Sequence, residues 1–284
     1  MSDTPDNLAT FGAAIPEPPV PADSTAAMGA ATAPLDSSPP VVPIEVESSD
    51  VVSVPKPARG APKWETDTRE RVKTAIRKYQ KPLSDILGRD ANEGDTRLFV
   101  TDFLCDALGF DKYEDLTTEY RVKGEFADYG VRIDKQLVAF IEVKRIAQKL
   151  SANHLRQVQT YAVNEGVEWM VLTNGRVWQV WHLTGGLPVI MDKALEVDLL
   201  SDEPLATKAA AMFYVTREAM KRHQMDELWK AQAATSPKSI TRMILSDKVV
   251  EEIRKELRRQ TGHSAEASRI VGVLKNEVLR ADLV

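Results

Sequence analysis

The segment Leu137 to Val143 (LVAFIEV) is apolar at six of its seven positions, yet Glu142 lies inside it and Lys144 follows two residues later. A run this apolar belongs to a strand covered on both faces of a sheet. Residues two apart in a strand point to the same face. Charges on such a strand are costly to bury unless they are paired or bind a metal. The preceding stretch, Phe126 to Ile133, reads as a partner strand and carries Asp128.

The spacing relates these charges. Asp128 and Glu142 are fourteen residues apart, with Lys135 at the midpoint. A three-residue turn over 134–136 predicts that they face each other across an antiparallel ladder, with Cβ atoms about 5 Å apart. Two carboxylates and a lysine at one strand end suit phosphodiester hydrolysis, in which carboxylates hold a metal that polarises the phosphoryl oxygen and acidifies a water. Hard oxygen ligands select Mg2+, or Mn2+, over zinc. Lys144 could position the attacking water or neutralise charge developing on phosphorus. The Val143 carbonyl is a further candidate ligand. On spacing alone a blander reading stands beside this one, in which Glu142 and Lys144 mark the solvated end of a strand.

The rest of the chain divides by composition. Residues 1–62 hold twelve of the sixteen prolines, and Phe11 is their only aromatic. Such a segment cannot bury enough apolar surface to offset its ordering entropy, so a disordered acidic tail is expected. Residues 1–50 contain eight acidic residues and no Lys or Arg; the remainder, with 34 acidic against 37 basic residues, is +3. That mild excess is compatible with nucleic-acid binding without arguing for it. The single cysteine, Cys105, excludes an internal disulfide and suits the cytoplasm. No apolar run approaches the roughly eighteen residues of a membrane span, and the N-terminus lacks a secretory pattern.

From Trp64 the chain alternates helices and strands. One helix is expected over 65–79, ended or kinked by Pro82, and a second over 93–108. Strands are expected at 116–122, 126–133 and 137–144, followed by a helix over 151–165 with Ser151 as N-cap. A strand at 169–173, an Asn174-Gly175 turn and a strand at 177–183 complete the sheet. After Pro204 one long helix is expected to residue 231, then three shorter ones. The expected architecture is an α/β mixed sheet flanked by helices, with boundaries near 62 and 200 and a helical C-terminal region over 201–284. Those last helices could dimerise, bind a partner or pack on the core.

Asp128 followed by Glu142-Val143-Lys144 resembles the PD-(D/E)xK nuclease motif. More broadly, residues 92–183 are similar to the N-terminal nuclease domain of type I restriction enzyme R subunits and related small predicted restriction endonucleases. The similarity runs through Asn92-Glu93, Thr96-Arg97, FLCDALGF at 103–110, Ala127-Asp128-Tyr129, IEVKR at 141–145, QVQTYA at 157–162 and LTNG at 172–175. It implies a restriction-endonuclease-like fold and a metal-dependent endonuclease acting on DNA in restriction or defence. Asp128 and Glu142 would be metal ligands and Lys144 the catalytic lysine. Gln157 and Tyr161, four apart on one helix face, would contact DNA or order the site. Glu93 matches a further acidic position that could reach the metal, with Asp95 or Glu119 as alternatives. Ala127 stands where the motif usually has proline. No GxxxxGK[ST] phosphate loop occurs, so a separate motor or specificity subunit is an expected partner. A non-catalytic nucleic-acid- or partner-binding module with the same fold is the alternative.

Other residues carry less. His154, His182, His223 and His263 show no zinc-ligand spacing. Trp169, Trp178 and Trp181 are expected in the core rather than as base-stacking platforms. Cys105 is expected as a small buried apolar residue. Arg254, Lys255, Arg258 and Arg259 are expected on a solvated helix face, with phosphate contact as the alternative.

Overall fold

A computed structural model describes residues 44–47, 60–122, 125–184 and 189–283. The described elements run β1 (Ile44–Glu47), α1 (Lys63–Gly88), α2 (Glu93–Asp106), β2 (Leu116–Val122), β3 (Glu125–Ile133) and β4 (Gln136–Val143). Then follow α3 (Arg156–Glu165), β5 (Trp169–Thr173), β6 (Val177–Thr184) and β7 (Val189–Asp198). The C-terminal helices are α4 (Leu205–Met212), α5 (Arg217–Lys221), α6 (Gln224–Ala234), α7 (Pro237–Ile244), α8 (Asp247–Thr261) and α9 (Ala267–Val273). The expected N-terminal tail falls outside the described residues except for 44–47 and 60–62.

The mixed α/β sheet is present, with strand order β1-β7-β6-β5-β4-β3-β2. The β4–β5 and β1–β7 pairs are parallel and the others antiparallel. The crossover from β4 to the parallel β5 runs through α3, as a parallel pair requires. One apolar layer holds α1, α2 and α4–α6 against the sheet and includes Val72, Phe103, Ile141, Trp178 and Phe213. A smaller layer under α3 gathers Phe140, Leu155, Val158, Ala162, Met170 and Trp181. β4 is interior, and its last five residues are buried.

Four local expectations are corrected. α1 runs through Pro82. Proline forfeits one helical hydrogen bond, but the stripe Val72, Ile76, Tyr79 and Leu83 is buried on both sides of it, and that packing holds the helix. The long helix over 205–231 is three helices. A 3-10 turn at Phe213–Val215 sinks three side chains into the core, Thr216 caps α5 by accepting from the Ala219 N–H, and His223 reverses the chain with φ of 55°. β7 was not expected; opposite Val180 and Trp181 it pairs Leu195 and Lys193, so Ala194 is an extra residue that breaks the period-two pattern. The helix expected to start at Ser151 begins as a 3-10 turn, Ala152–Leu155, before α3.

α5 is tied to the core by charge as well as by apolar packing. Arg71 on α1 grips both oxygens of Glu218 at 2.6 and 2.7 Å, and Arg217 meets the buried Asp115 at 2.6 Å. Met225 and Leu228 of α6 are buried in the same layer. By contrast, α7 to α9 leave Ile240, Met243, Leu257 and Val273 exposed and bury chiefly Val250 and Ile270. Among the described residues no helix is long and apolar enough to cross a membrane.

This packing separates the C-terminal helices into two groups with different consequences. A chain ending at residue 204 removes Phe213 from its stack on Trp64 and takes Met212, Val215, Met225 and Leu228 out of the core layer, and should lose cooperative unfolding in a denaturant titration. A chain ending at residue 236 should keep a cooperative transition within a few degrees of the full chain in thermal melts. Equal behaviour of the two truncations would contradict the assignment of α4–α6 to the core.

Candidate active site

The end of β4 is held by three neighbouring elements through its own backbone donors. The Val143 N–H donates to Asp128 Oδ2 on β3 at 2.7 Å, the Lys144 N–H to the Thr173 carbonyl on β5 at 2.8 Å, and the Ile146 N–H to Thr96 Oγ1 on α2 at 3.1 Å. Thr96 in turn donates to the Asn92 carbonyl at 2.8 Å, and Asn92 caps α2 by accepting from the Asp95 N–H. The first turn of α2 is thereby fixed beside the strand end.

The hairpin register puts Asp128 opposite Glu142, by a different route from the expected three-residue turn. Ile133 pairs with Gln136, so the turn is Asp134-Lys135, both with positive φ (50° and 70°), the conformation of a two-residue hairpin turn. Val131 pairs with Ala139 and Arg132 with Leu137, leaving Val138 as an extra residue. That bulge restores the count. Tyr129 pairs with Ile141, and one further step of this register aligns residues 128 and 142. Gly130 opposite Phe140 leaves room for the Tyr120 ring; a Cβ there would lie 2.6 Å from it.

Asp128 and Glu142 are 8% and 6% exposed, so their charges are felt strongly. Glu142 Oε1 accepts from Lys144 Nζ at 2.5 Å, while Oε2 is buried with no partner. Burial, then the neighbouring Asp128 charge, pushes the Glu142 carboxyl up to about 7 despite Lys144. Burial also raises Asp128, against the Val143 N–H and the Arg97 guanidinium. For Lys144, burial works downward, but the hydrogen bond and charge of Glu142 outweigh it and raise the ammonium above its ordinary value. Lys144 therefore holds its proton at neutral pH.

Residues 92–188 match the family model of the type I restriction enzyme R protein N terminus (HSDR_N). The match covers every candidate site residue. Comparison with curated proteins and with solved structures gives no match.

Within the matched segment, the acidic candidates separate by position. Glu93 is the first residue of α2 and lies 4.0 Å from Arg97, and Glu119 on β2 lies 3.9 Å from the same guanidinium. Glu93 also acts electrostatically on Asp128, Glu142 and Lys144. Asp95 turns to Arg89 at 3.3 Å instead. Among the described residues no three Asp, Glu, His or Cys side chains converge as a group that could hold a metal ion. The donor set is nonetheless all carboxylate and includes an unpartnered buried oxygen, the chemistry that suits Mg2+ or Mn2+. Gln157 and Tyr161 both lie on α3, and their side chains are outside the described residues.

Arg97 was not among the expected site residues. It ion-pairs with Asp128 Oδ1 and stands between Glu93 and Glu119. Its spacing, four residues after Glu93 on a helix, is the signal that could have found it. The remaining candidates have structural environments. Trp169, Trp178 and Trp181 are buried. His182 sits between the Trp169 and Trp229 rings at 4.8 and 4.7 Å, His223 pairs with Asp226, and His154 accepts from the Ser151 N–H. Cys105 is half-buried rather than fully buried, and burial pushes its thiol up. Arg254, Lys255 and Arg259 pair with Glu251, Glu252 and Glu256 on α8.

The raised Glu142 carboxyl has a pH signature. A group whose folded pKa lies near 7 and whose unfolded value lies near 4.5 favours the folded state below about pH 4.5 and loses that contribution as pH rises through 7. In chelator-containing buffer, wild-type stability should therefore fall relative to Glu142→Gln between pH 5 and 8, by on the order of 3 kcal/mol. Chemical denaturation at several pH values measures this. Parallel profiles for the two proteins would refute the perturbed carboxyl.

Proposed function

We propose that residues 92–188 form the centre of a metal-dependent DNA endonuclease of the restriction type. The observation that carries this reading is the buried Glu142 carboxylate, with one oxygen on Lys144 and the other free, opposite Asp128 at the end of an interior strand. Asp128 and Glu142 would hold Mg2+ or Mn2+, with Glu93 from α2, which does not converge with them as a three-carboxylate group in the metal-free arrangement, as the further candidate ligand. The ion would supply polarisation of a phosphoryl oxygen and acidification of the attacking water.

The chain's own groups account for the rest. Lys144, protonated and half-buried, acts as a cation and donor beside the phosphoryl oxygens as negative charge develops on them, and is not the base. The Val143 N–H holds Asp128 in place from below. Gln157 and Tyr161, on the helix that follows the strand, are assigned to substrate contact or to ordering the site. DNA is the proposed substrate, in the cytoplasm, with a separate motor or specificity protein as partner because the chain has no ATP-binding loop.

One observation favours a second reading. Asp128 and Glu142 are each already paired with a cation, Arg97 and Lys144, so each of these two carboxylates has a counter-charge without a metal. A binding module that retains nucleic acid without cutting it would tolerate that arrangement.

Incubation of the full chain with plasmid DNA, modified and unmodified, plus Mg2+ or Mn2+ separates the two. Cleavage that falls by about 10²-fold or more in Glu142→Ala and in Lys144→Ala supports the nuclease. Equal nicking by wild type and Glu142→Ala, or retention of DNA with no cutting in any metal, supports the binding module instead.

A further inference from the structure

Both oxygens of Asp128 are taken. Oδ2 accepts from the Val143 N–H at 2.7 Å, and Oδ1 is ion-paired with the Arg97 guanidinium. A cation on Asp128 would meet the Arg97 guanidinium at Oδ1, the oxygen that does not hold the strand backbone, and the two positive charges would repel each other there. Arg97 is placed to yield. Its backbone is fixed, since its carbonyl accepts from the Tyr129 hydroxyl at 3.1 Å and Tyr129 meets Thr101 at 2.8 Å. Its side chain is not: one third of it is exposed, and Nε is buried with no partner. A second seat is also present, because the Glu119 carboxylate lies 3.9 Å from the guanidinium and is largely exposed.

We propose that Arg97 gates divalent-cation entry: it occupies Asp128 Oδ1 as a resident counter-ion, and loading of the ion moves the guanidinium towards Glu119 while the helix stays in place. The inference rests on the reading of Asp128 as a metal ligand. The ion and Arg97 compete for one oxygen, so each weakens the other's hold by the same factor. Arg97 is a positioning residue here and touches neither substrate nor reacting atoms.

The test is Mn2+ binding to the full chain without DNA, by calorimetry at pH 8. Arg97→Met removes the competing charge but keeps the side-chain stem, and should bind Mn2+ about tenfold more tightly than wild type. Arg97→Lys keeps a competing cation and should stay within about threefold of wild type. Thermal melts establish that both variants fold. Unchanged or weaker Mn2+ binding by a folded Arg97→Met overturns the gate, and if wild type still cleaves DNA the nuclease reading survives that failure. Tighter binding by Arg97→Met, in a protein that cuts no DNA, supports the gate and removes the nuclease reading. Absence of Mn2+ binding in all three proteins overturns both.

Discussion

The burial of Glu142 at the end of an interior strand is the constraint around which the rest of this structure is arranged. A carboxylate in that position is expensive, and one left with an unpartnered oxygen is more so. The strand end stays in place because its backbone donors are distributed. Val143 is held by β3, Lys144 by β5 and Ile146 by α2. Three elements therefore converge on four residues. The geometry of Glu142 and Lys144 is a property of the backbone before it is a property of their side chains, which is how a site can keep a charge that packing alone would expel.

The α2 contribution depends on packing some distance away. Tyr79, Phe99, Phe103 and Trp178 form a continuous aromatic contact set, with ring centroids 5.4 to 5.6 Å apart for the Tyr79–Phe99, Tyr79–Phe103 and Phe103–Trp178 pairs. This locks α2 between α1 and β6. Gly175, with φ of 80° and Phe99 3.2 Å from where a Cβ would stand, lets the β5–β6 turn approach the same helix. The C-terminal helices then clamp α1 through Glu218 and the β2 entry through Asp115. The first turn of α2, with Glu93 and Arg97, is thus supported from residues more than a hundred positions further along the chain.

Much of this was legible in the sequence where local pattern and burial agree. The apolar run at 137–143, the Asn174-Gly175 turn and the helices expected over 93–108 and 151–165 follow from period and turn chemistry, although the second of these starts as an α-helix only at Arg156, past the expected Ser151 cap. The alignment of Asp128 with Glu142 was legible for a less direct reason. A turn one residue shorter than expected is offset by the bulge at Val138, so the count from the midpoint survives. Neither feature has a clear sequence signal, because Asp-Lys is not a typical pair for a positive-φ turn and a bulge leaves the apolar run unbroken. β7 was hidden by the same kind of irregularity at Ala194. The breaks at Phe213–Thr216 and His223 lay beyond helix propensity, since tertiary burial and the Asp115 and Arg71 ion pairs select them. Arg97 carries only its four-residue spacing from Glu93 as a local signal, and its pairing with Asp128 is a tertiary contact that this spacing does not encode.

That cation changes how the charge of the site should be understood. Four carboxylates, Asp128, Glu142, Glu93 and Glu119, are offset by two cations, Arg97 and Lys144. With every group ionised the cluster is two charges short of neutral. Metal-free, burial first and the neighbouring Asp128 charge second push the Glu142 carboxyl up to about 7, so that a proton supplies part of the missing charge. A single divalent cation would supply both charges and would favour the ionised form of Glu142. The proton on Glu142 and the guanidinium on Asp128 are then the metal-free counter-charges of the two buried carboxylates that face each other across the β3–β4 hairpin.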